Sequence, residues 1–366
     1  MRVAYVHDWL VTYRGGEKVL EALLGLFPDA PVYTLFYQPK EFPPTITKRR
    51  IITSRIPARL WPARMALLPL LPTIMESFPL EEYDLVISSS SCVAKGVMTA
   101  PDAKHISYVH SPMRYVWDQR EMYMDALPKI PFARPAIQYL SAKLRVWDHA
   151  SASRVDSFVA NSNFVRQRIK KFYGRDASVI HPPCDVQRFA PTSDPADKSY
   201  YLALGAFVPY KRFDLAIDAC ERLGEKLIVA GGGPDQERLQ KKAGKNTTFE
   251  IKPSGERLCE LLRNAKALIF PGVEDFGMVA IESMAAGTPV IALKKGGALD
   301  FIRPGVTGEF FEHPTPESLG AALKNFDHRR YSSAALIAFA QGFSTESFLA
   351  KFRDAIETMT GARIAN

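Results

Sequence analysis

Two carboxylates eight positions apart, Glu274 and Glu282, stand on either side of Phe276 and Gly277 in the stretch ALIFPGVEDFGMVAIESMAAGTPVIAL, residues 267–293. The apolar run 267–271 reads as a buried strand, 278–286 as a helix stopped by Gly287, and 289–293 as the next strand. In such a strand-loop-helix-strand unit of a parallel sheet, ligands collect at the carboxyl ends of the strands. Glu274 then lies in the ligand-bearing loop, and Glu282, about two turns along the helix at roughly 3.6 residues per turn, faces the same crevice. Fixed carboxylates accept hydrogen bonds from neighbouring hydroxyls, and helix amides near Gly277 and Met278 meet anionic oxygens, a combination that suits a nucleotide sugar. The competing reading is a loop carboxylate at the surface and a glutamate on a solvated helix face.

The elements around this stretch repeat one theme. Strand 2–7 leads through Arg14-Gly15-Gly16-Glu17 into an amphipathic helix, and a glycine pair there lets backbone amides approach a ligand. Strand 83–88 ends in four serines suited to binding hydroxyls or capping a helix, and strand 106–109 delivers His110-Ser111-Pro112-Met113-Arg114-Tyr115-Val116-Trp117-Asp118 to the same edge. A lone histidine is usually structural; one placed after a strand among hydroxyl, guanidinium and aromatic groups reads as a site residue. Strand 200–204 opens a second series, with Lys211-Arg212 at a helix start, where cations are disfavoured unless an anion balances them.

The segment PGVEDFGMVAIESMAAGTPVIA resembles the P-x-x-E-x-F-G-x-x-x-x-E-A/S-M-A-x-G-T-P-V-I motif of retaining family 4 glycosyltransferases of the GT-B fold. The 110–118 run is similar to the Y-x-H-x-P-M-R-Y-x-W-D run of mannosyltransferases that build bacterial O-antigen and exopolysaccharide chains. The resemblance covers most of the chain and implies an α/β protein of two Rossmann-like domains facing across a cleft. Its implied boundaries are an acceptor-side domain over 1–185, a linker over 186–198, a donor domain over 199–343, and a last helix, 344–366, crossing back.

The activity it implies is metal-independent transfer of a hexose with retention, most specifically of mannose from GDP-mannose to a lipid-linked glycan, with UDP- or dTDP-sugars as the near alternative. No cofactor is implied beyond the donor substrate. Glu274 would hold sugar hydroxyls beside the Phe276 and Gly277 amides, Glu282 the ribose, Lys211 the diphosphate, and His110 the sugar or acceptor, while Gly15 and Gly16 approach the donor. Relatives carry Arg where Ala206 stands, so Arg212 is expected to replace that charge; Lys252 lies where relatives hold the nucleobase.

Segment 48–75 holds six basic and no acidic side chains among apolar ones. Arg49, Arg50, Arg55, Arg59 and Trp61, with Arg114, read as an acceptor- and membrane-facing set on an anionic inner-membrane surface; a basic connector packed on its own domain explains the segment equally. The net charge of +8 favours anionic partners, but no nucleic-acid recognition module follows. Asp8 interrupts the first apolar run, against a signal peptide, and the four cysteines lack metal spacing, so a cytoplasmic protein is expected. Neither the Gly15-Gly16 loop nor the Gly231-Gly232-Gly233 loop has dinucleotide spacing, which disfavours a dehydrogenase. A nucleotide-binding scaffold without transfer activity is the reading from another class.

Overall fold

A computed structural model of the chain describes residues 1–57, 61, 66–118, 133–190 and 198–364. The chain divides into two compact units, Met1–His181 together with Leu349–Asn366, and Pro182–Phe348.

The first unit is built on strands β1 (Val3–His7), β2 (Val32–Thr34), β3 (Ile51–Thr53), β4 (Leu85–Ser90), β5 (Lys104–Val109), β6 (Ser157–Ala160) and β7 (Ser178–Val179), in the order β3-β2-β1-β4-β5-β6-β7. The second carries β8 (Tyr200–Ala206), β9 (Leu227–Gly232), β10 (Thr247–Ile251), β11 (Ala265–Phe270), β12 (Val290–Leu293) and β13 (Gly308–Phe311), in the order β10-β9-β8-β11-β12-β13. Every pairing is parallel. Central strands buried on both faces read as continuous apolar runs, and β1 and β4 are buried along their whole length. In each sheet the strand order reverses at one place, β1 beside β4 and β8 beside β11, and crevices at the carboxyl ends open there.

The start of the expected 186–198 linker is folded. Val186–Phe189 forms a helical turn, capped by the Asp185 carboxylate accepting from the Arg188 amide at 3.3 Å, with Val186 and Phe189 buried in the second unit's core. Two apolar side chains three apart on one turn share a face, and that outweighs the polar residues downstream. Residues 191–197 of that linker lie outside the described residues. Helix Thr345–Thr360 starts in the second unit, and from Leu349 onward it belongs to the first, burying Phe352 and Ile356. Among the described residues no helix is long and apolar enough to cross a membrane.

Charges buried in the first unit are met from within. The Lys95 ammonium, 1% exposed, lies 2.8 Å from Asp148 Oδ1 and donates to the Asp148 carbonyl and Ser151 Oγ, both at 2.7 Å. Asp148 Oδ2 accepts from Trp117 Nε1 at 2.7 Å and from the Tyr173 hydroxyl at 2.9 Å. Removing one member of such a pair leaves the other as an uncompensated buried charge, at a cost of about 3–5 kcal/mol. Asp148→Ala is therefore expected to destabilise the first unit by about that amount. All four tryptophans, at 9, 61, 117 and 147, lie in this unit, so the loss is read as a lower denaturation midpoint by tryptophan fluorescence. An unchanged midpoint would mean that the ammonium is satisfied without Asp148.

Candidate active site

In the second unit, Lys211 leaves the loop after β8 and Glu274 the loop after β11, so adjacent strands present a cation and an anion at the same edge. Their side chains meet, Lys211 Nζ to Glu274 Oε1 at 2.6 Å, with 12% and 16% of each exposed. The loop holding Glu274 is fixed by glycines that nothing larger replaces. Gly277 opens helix Met278–Ala285 at φ 115°, and a Cβ there would fall 2.6 Å from the Phe270 ring. Gly297 donates its amide to the Glu274 carbonyl at 2.9 Å, and a Cβ there would lie 2.4 Å from Phe276 Cα. No side chain caps this helix at Gly277, and the Ala280 amide donates back to the Gly277 carbonyl at 3.0 Å.

The remaining expected donor residues have mixed placements. Glu282 lies on the same helix and is 9% exposed. Phe276 is a core side chain, edge-on to Phe301 at 5.5 Å and close to Phe343, so its ring does not reach a ligand. Met278 likewise packs against the core. Lys252 is exposed at the end of edge strand β10, in a left-handed conformation with φ 48°. Arg212 differs from expectation: its guanidinium is held by Asp214, with Nε 3.1 Å and Nη2 3.2 Å from the carboxylate. The anion that balances a cation at this helix start is supplied by the helix's own first turn.

In the first unit the cluster is denser. His7 at the end of β1 stands opposite Ser89 in β4. Ser89 Oγ lies 3.1 Å from His7 Nδ1 and 2.8 Å from His110 Nε2. Glu17, third residue of helix Gly15–Leu23, accepts the Arg14 amide at 2.9 Å and approaches His7 Nε2 at 3.8 Å. Gly15 begins that helix, and a Cβ at Gly16 would touch the His110 ring at 3.6 Å. Burial pushes His110 down to about 3, helped by neighbouring His7 and Arg114 and opposed by Glu17, so its imidazole is neutral. Burial raises Glu17, but the hydrogen bond from His7 and the backbone amides outweigh it and leave the carboxyl lowered. Beside them Asp8, 2% exposed, accepts the amides of Cys92 at 2.9 Å and of Val93 and Ala94 at 2.7 Å.

Residues 14–188 match the model of Glycosyltransferase Family 4, and residues 187–341 match that of Glycosyl transferases group 1. The chain belongs to the group 1/family 4 glycosyltransferases. A D-inositol 3-phosphate glycosyltransferase of Nocardia farcinica is 31% identical over 249 residues, 58% of this chain and 55% of the relative, so the match spans about half of that relative's length. The protein of that name from Mycobacterium leprae is 26% identical over 336 residues, 78% of each chain. The solved structure of Anabaena Alr3699/HepE in complex with UDP has a TM-score of 0.71 at 16% identity, covering 98% of this chain and 100% of that one, and shares the GT-B fold.

For this glycosyltransferase, sequence reasoning assigned His7 and Glu17 no site role and offered Ser89 only as one of four serines. The four-serine run was the available signal: a serine inside a fully buried strand needs a partner, and the neighbouring strand supplies His7. Much of the 110–118 run is structural instead. Met113 and Val116 are buried, Trp117 stacks on Phe172 at 4.6 Å, and Asp118 pairs with Arg168 at 2.6 Å. Arg114 is half-buried. In the basic segment, Arg49 donates to the Pro28, Thr45 and Leu24 carbonyls, and Trp61 packs edge-on against Phe36 at 6.1 Å while donating to the Ile56 carbonyl. Those two residues thus serve the packed connector rather than a membrane face; Arg50 and Arg55 are exposed, and Arg59 lies outside the described residues.

A histidine whose pKa folding lowers stays neutral in the native state while the unfolded chain takes up a proton below about 6.5. Its stabilising share is complete above that pH and is lost as pH falls towards the native value. Burial holds His105 down at about 4 and His110 at about 3. The tryptophan-detected denaturation midpoint is expected to fall as pH drops from about 6.5 towards 4, each unit of lowered pKa contributing about 1.4 kcal/mol. His110→Gln should make that fall shallower; an identical pH slope in the variant would count against a neutral His110.

Proposed function

We propose that this glycosyltransferase moves a hexose from a nucleoside diphosphate donor to a glycan acceptor with retention at the anomeric carbon. We assign GDP-mannose as the donor and a lipid-linked glycan of bacterial surface polysaccharide as the acceptor. The observation that carries the reading is the 2.6 Å pair of Lys211 and Glu274 at the β8/β11 edge, in a chain whose motifs resemble the mannosyltransferases. An arriving donor exchanges with each partner: the diphosphate takes the ammonium, and a sugar hydroxyl takes the carboxylate. Lys211 and the amides at Gly277 then face the charge that grows on the leaving oxygen, the interaction that usually contributes most to such a reaction. The bond from the anomeric carbon to the phosphate oxygen breaks, the bond to the acceptor oxygen forms on the same face, and the acceptor proton passes to the departing diphosphate. This route needs no metal. Glu282 holds the ribose hydroxyls, and His110 receives a hydroxyl of the sugar or acceptor.

The relatives' names favour a second reading of the acceptor, a phosphorylated polyol such as D-inositol 3-phosphate. Peripheral attachment to the inner-membrane face rests on the exposed Arg50 and Arg55.

The test is to incubate the protein with GDP-mannose, UDP-glucose or dTDP-glucose, each with a lipid-linked mannosylated acceptor or D-inositol 3-phosphate. GDP release with mannose on the lipid is the expected result. Release of UDP or dTDP alone overturns the donor assignment, transfer to D-inositol 3-phosphate alone overturns the acceptor, and binding without turnover overturns transfer itself. Glu274→Ala is expected to lower turnover by about 10²- to 10³-fold while nucleotide affinity stays nearly unchanged. Replacing Arg50 and Arg55 with Ser should weaken binding to anionic vesicles most strongly at low salt; unaltered binding removes the membrane assignment.

A further inference from the structure

The Ser89 hydroxyl has one proton and is asked to serve two imidazoles, His7 Nδ1 at 3.1 Å and His110 Nε2 at 2.8 Å. It donates to one ring, and the other ring must donate to it. All three supporting side chains are buried, with His7 4%, Glu17 8% and Ser89 0% exposed, so water does not substitute for either bond. Glu17 decides between the two arrangements. Its carboxylate accepts the Arg14 amide and lies 3.8 Å from His7 Nε2. With a single ring proton on Nε2, His7 turns an N–H dipole towards that carboxylate; with that proton on Nδ1 it would turn a lone pair towards it. The first is favoured, so His7 Nδ1 is bare and takes the Ser89 proton. Ser89 must then accept from His110, which places the His110 proton on Nε2. The other charge facing His110 is Arg114, which sets no ring tautomer through Ser89.

We propose that Glu17, His7 and Ser89 form a positioning chain that fixes His110 as the Nε2–H tautomer and leaves its Nδ1 as a bare acceptor for a substrate hydroxyl. The role of that acceptor rests on the transfer reading above; the tautomer itself does not. The chain explains why a strand-end histidine, a buried strand serine and a helix-start glutamate occur together at the β1/β4 edge beside Gly16. None of the three is a catalytic residue, since each acts through His110.

Nitrogen NMR of the full chain labelled with ¹⁵N-histidine, at about pH 7.5, reads the tautomer directly, with His110→Gln identifying the signal. Proton on Nε2 is the expected result; proton on Nδ1 in the native protein overturns the proposal without any further variant. Ser89→Ala and Glu17→Gln are each expected to turn the single His110 tautomer into a mixture. In Ser89→Ala, kcat should fall about 10- to 100-fold with the donor KM little changed, the loss typical of a misdirected group. A variant that keeps its denaturation midpoint and its single tautomer overturns the chain's role. A native Nε2–H tautomer in a protein that turns over no nucleotide sugar upholds the chain and overturns the transfer reading.

Discussion

From β1 the chain goes on to β2 on one side, and from β4 it goes on to β5 on the other; β8 and β11 diverge from each other in the same way. Loops leaving adjacent strands in opposite directions cannot cover the edge between them, so backbone ends and side chains there stay open to a ligand. Both clusters occupy such an edge. His7 and Ser89 face each other across β1 and β4, and Lys211 and Glu274 across the loops after β8 and β11.

The two edges satisfy their polar groups in different ways. At β1/β4 the anion is closed in: Asp8 takes successive amides from Cys92 to Ala94, which ties the end of β1 to the segment after β4 and brings His7 within reach of Ser89. What remains there is a set of hydrogen-bonding groups whose directions are settled internally. At β8/β11 the cation and anion hold each other and stay partly open, so a ligand with complementary charge and hydroxyls can replace both at once. Arg212 does not share that openness, because Asp214 already engages its guanidinium.

The parallel α/β class was legible because apolar strand runs alternate with helices, and the glycines around Glu274 marked a loop whose backbone is tightly approached. Strand Thr247–Ile251 and helix Phe213–Leu223 follow directly from such runs and their stops. The partnerships were not legible. Nothing in linear spacing says that Ser89 lies opposite His7, since that register joins residues 82 apart. Nor does composition separate an arginine that holds carbonyls, as Arg49 does, from one exposed to solvent, as Arg50 is. Trp117 and Asp118 sit in a run that resembles a site, yet they bind Asp148 and Arg168, because an indole and a carboxylate are equally suited to brace a buried network.

The first unit is assembled from both ends of the sequence, Met1–His181 and Leu349–Asn366, while the second is one uninterrupted stretch. The first unit's core is therefore completed from the far end of the chain, by Phe352 and Ile356, both fully buried. Closing that core needs contacts between residues more than 160 positions apart in the chain, which are slow to form.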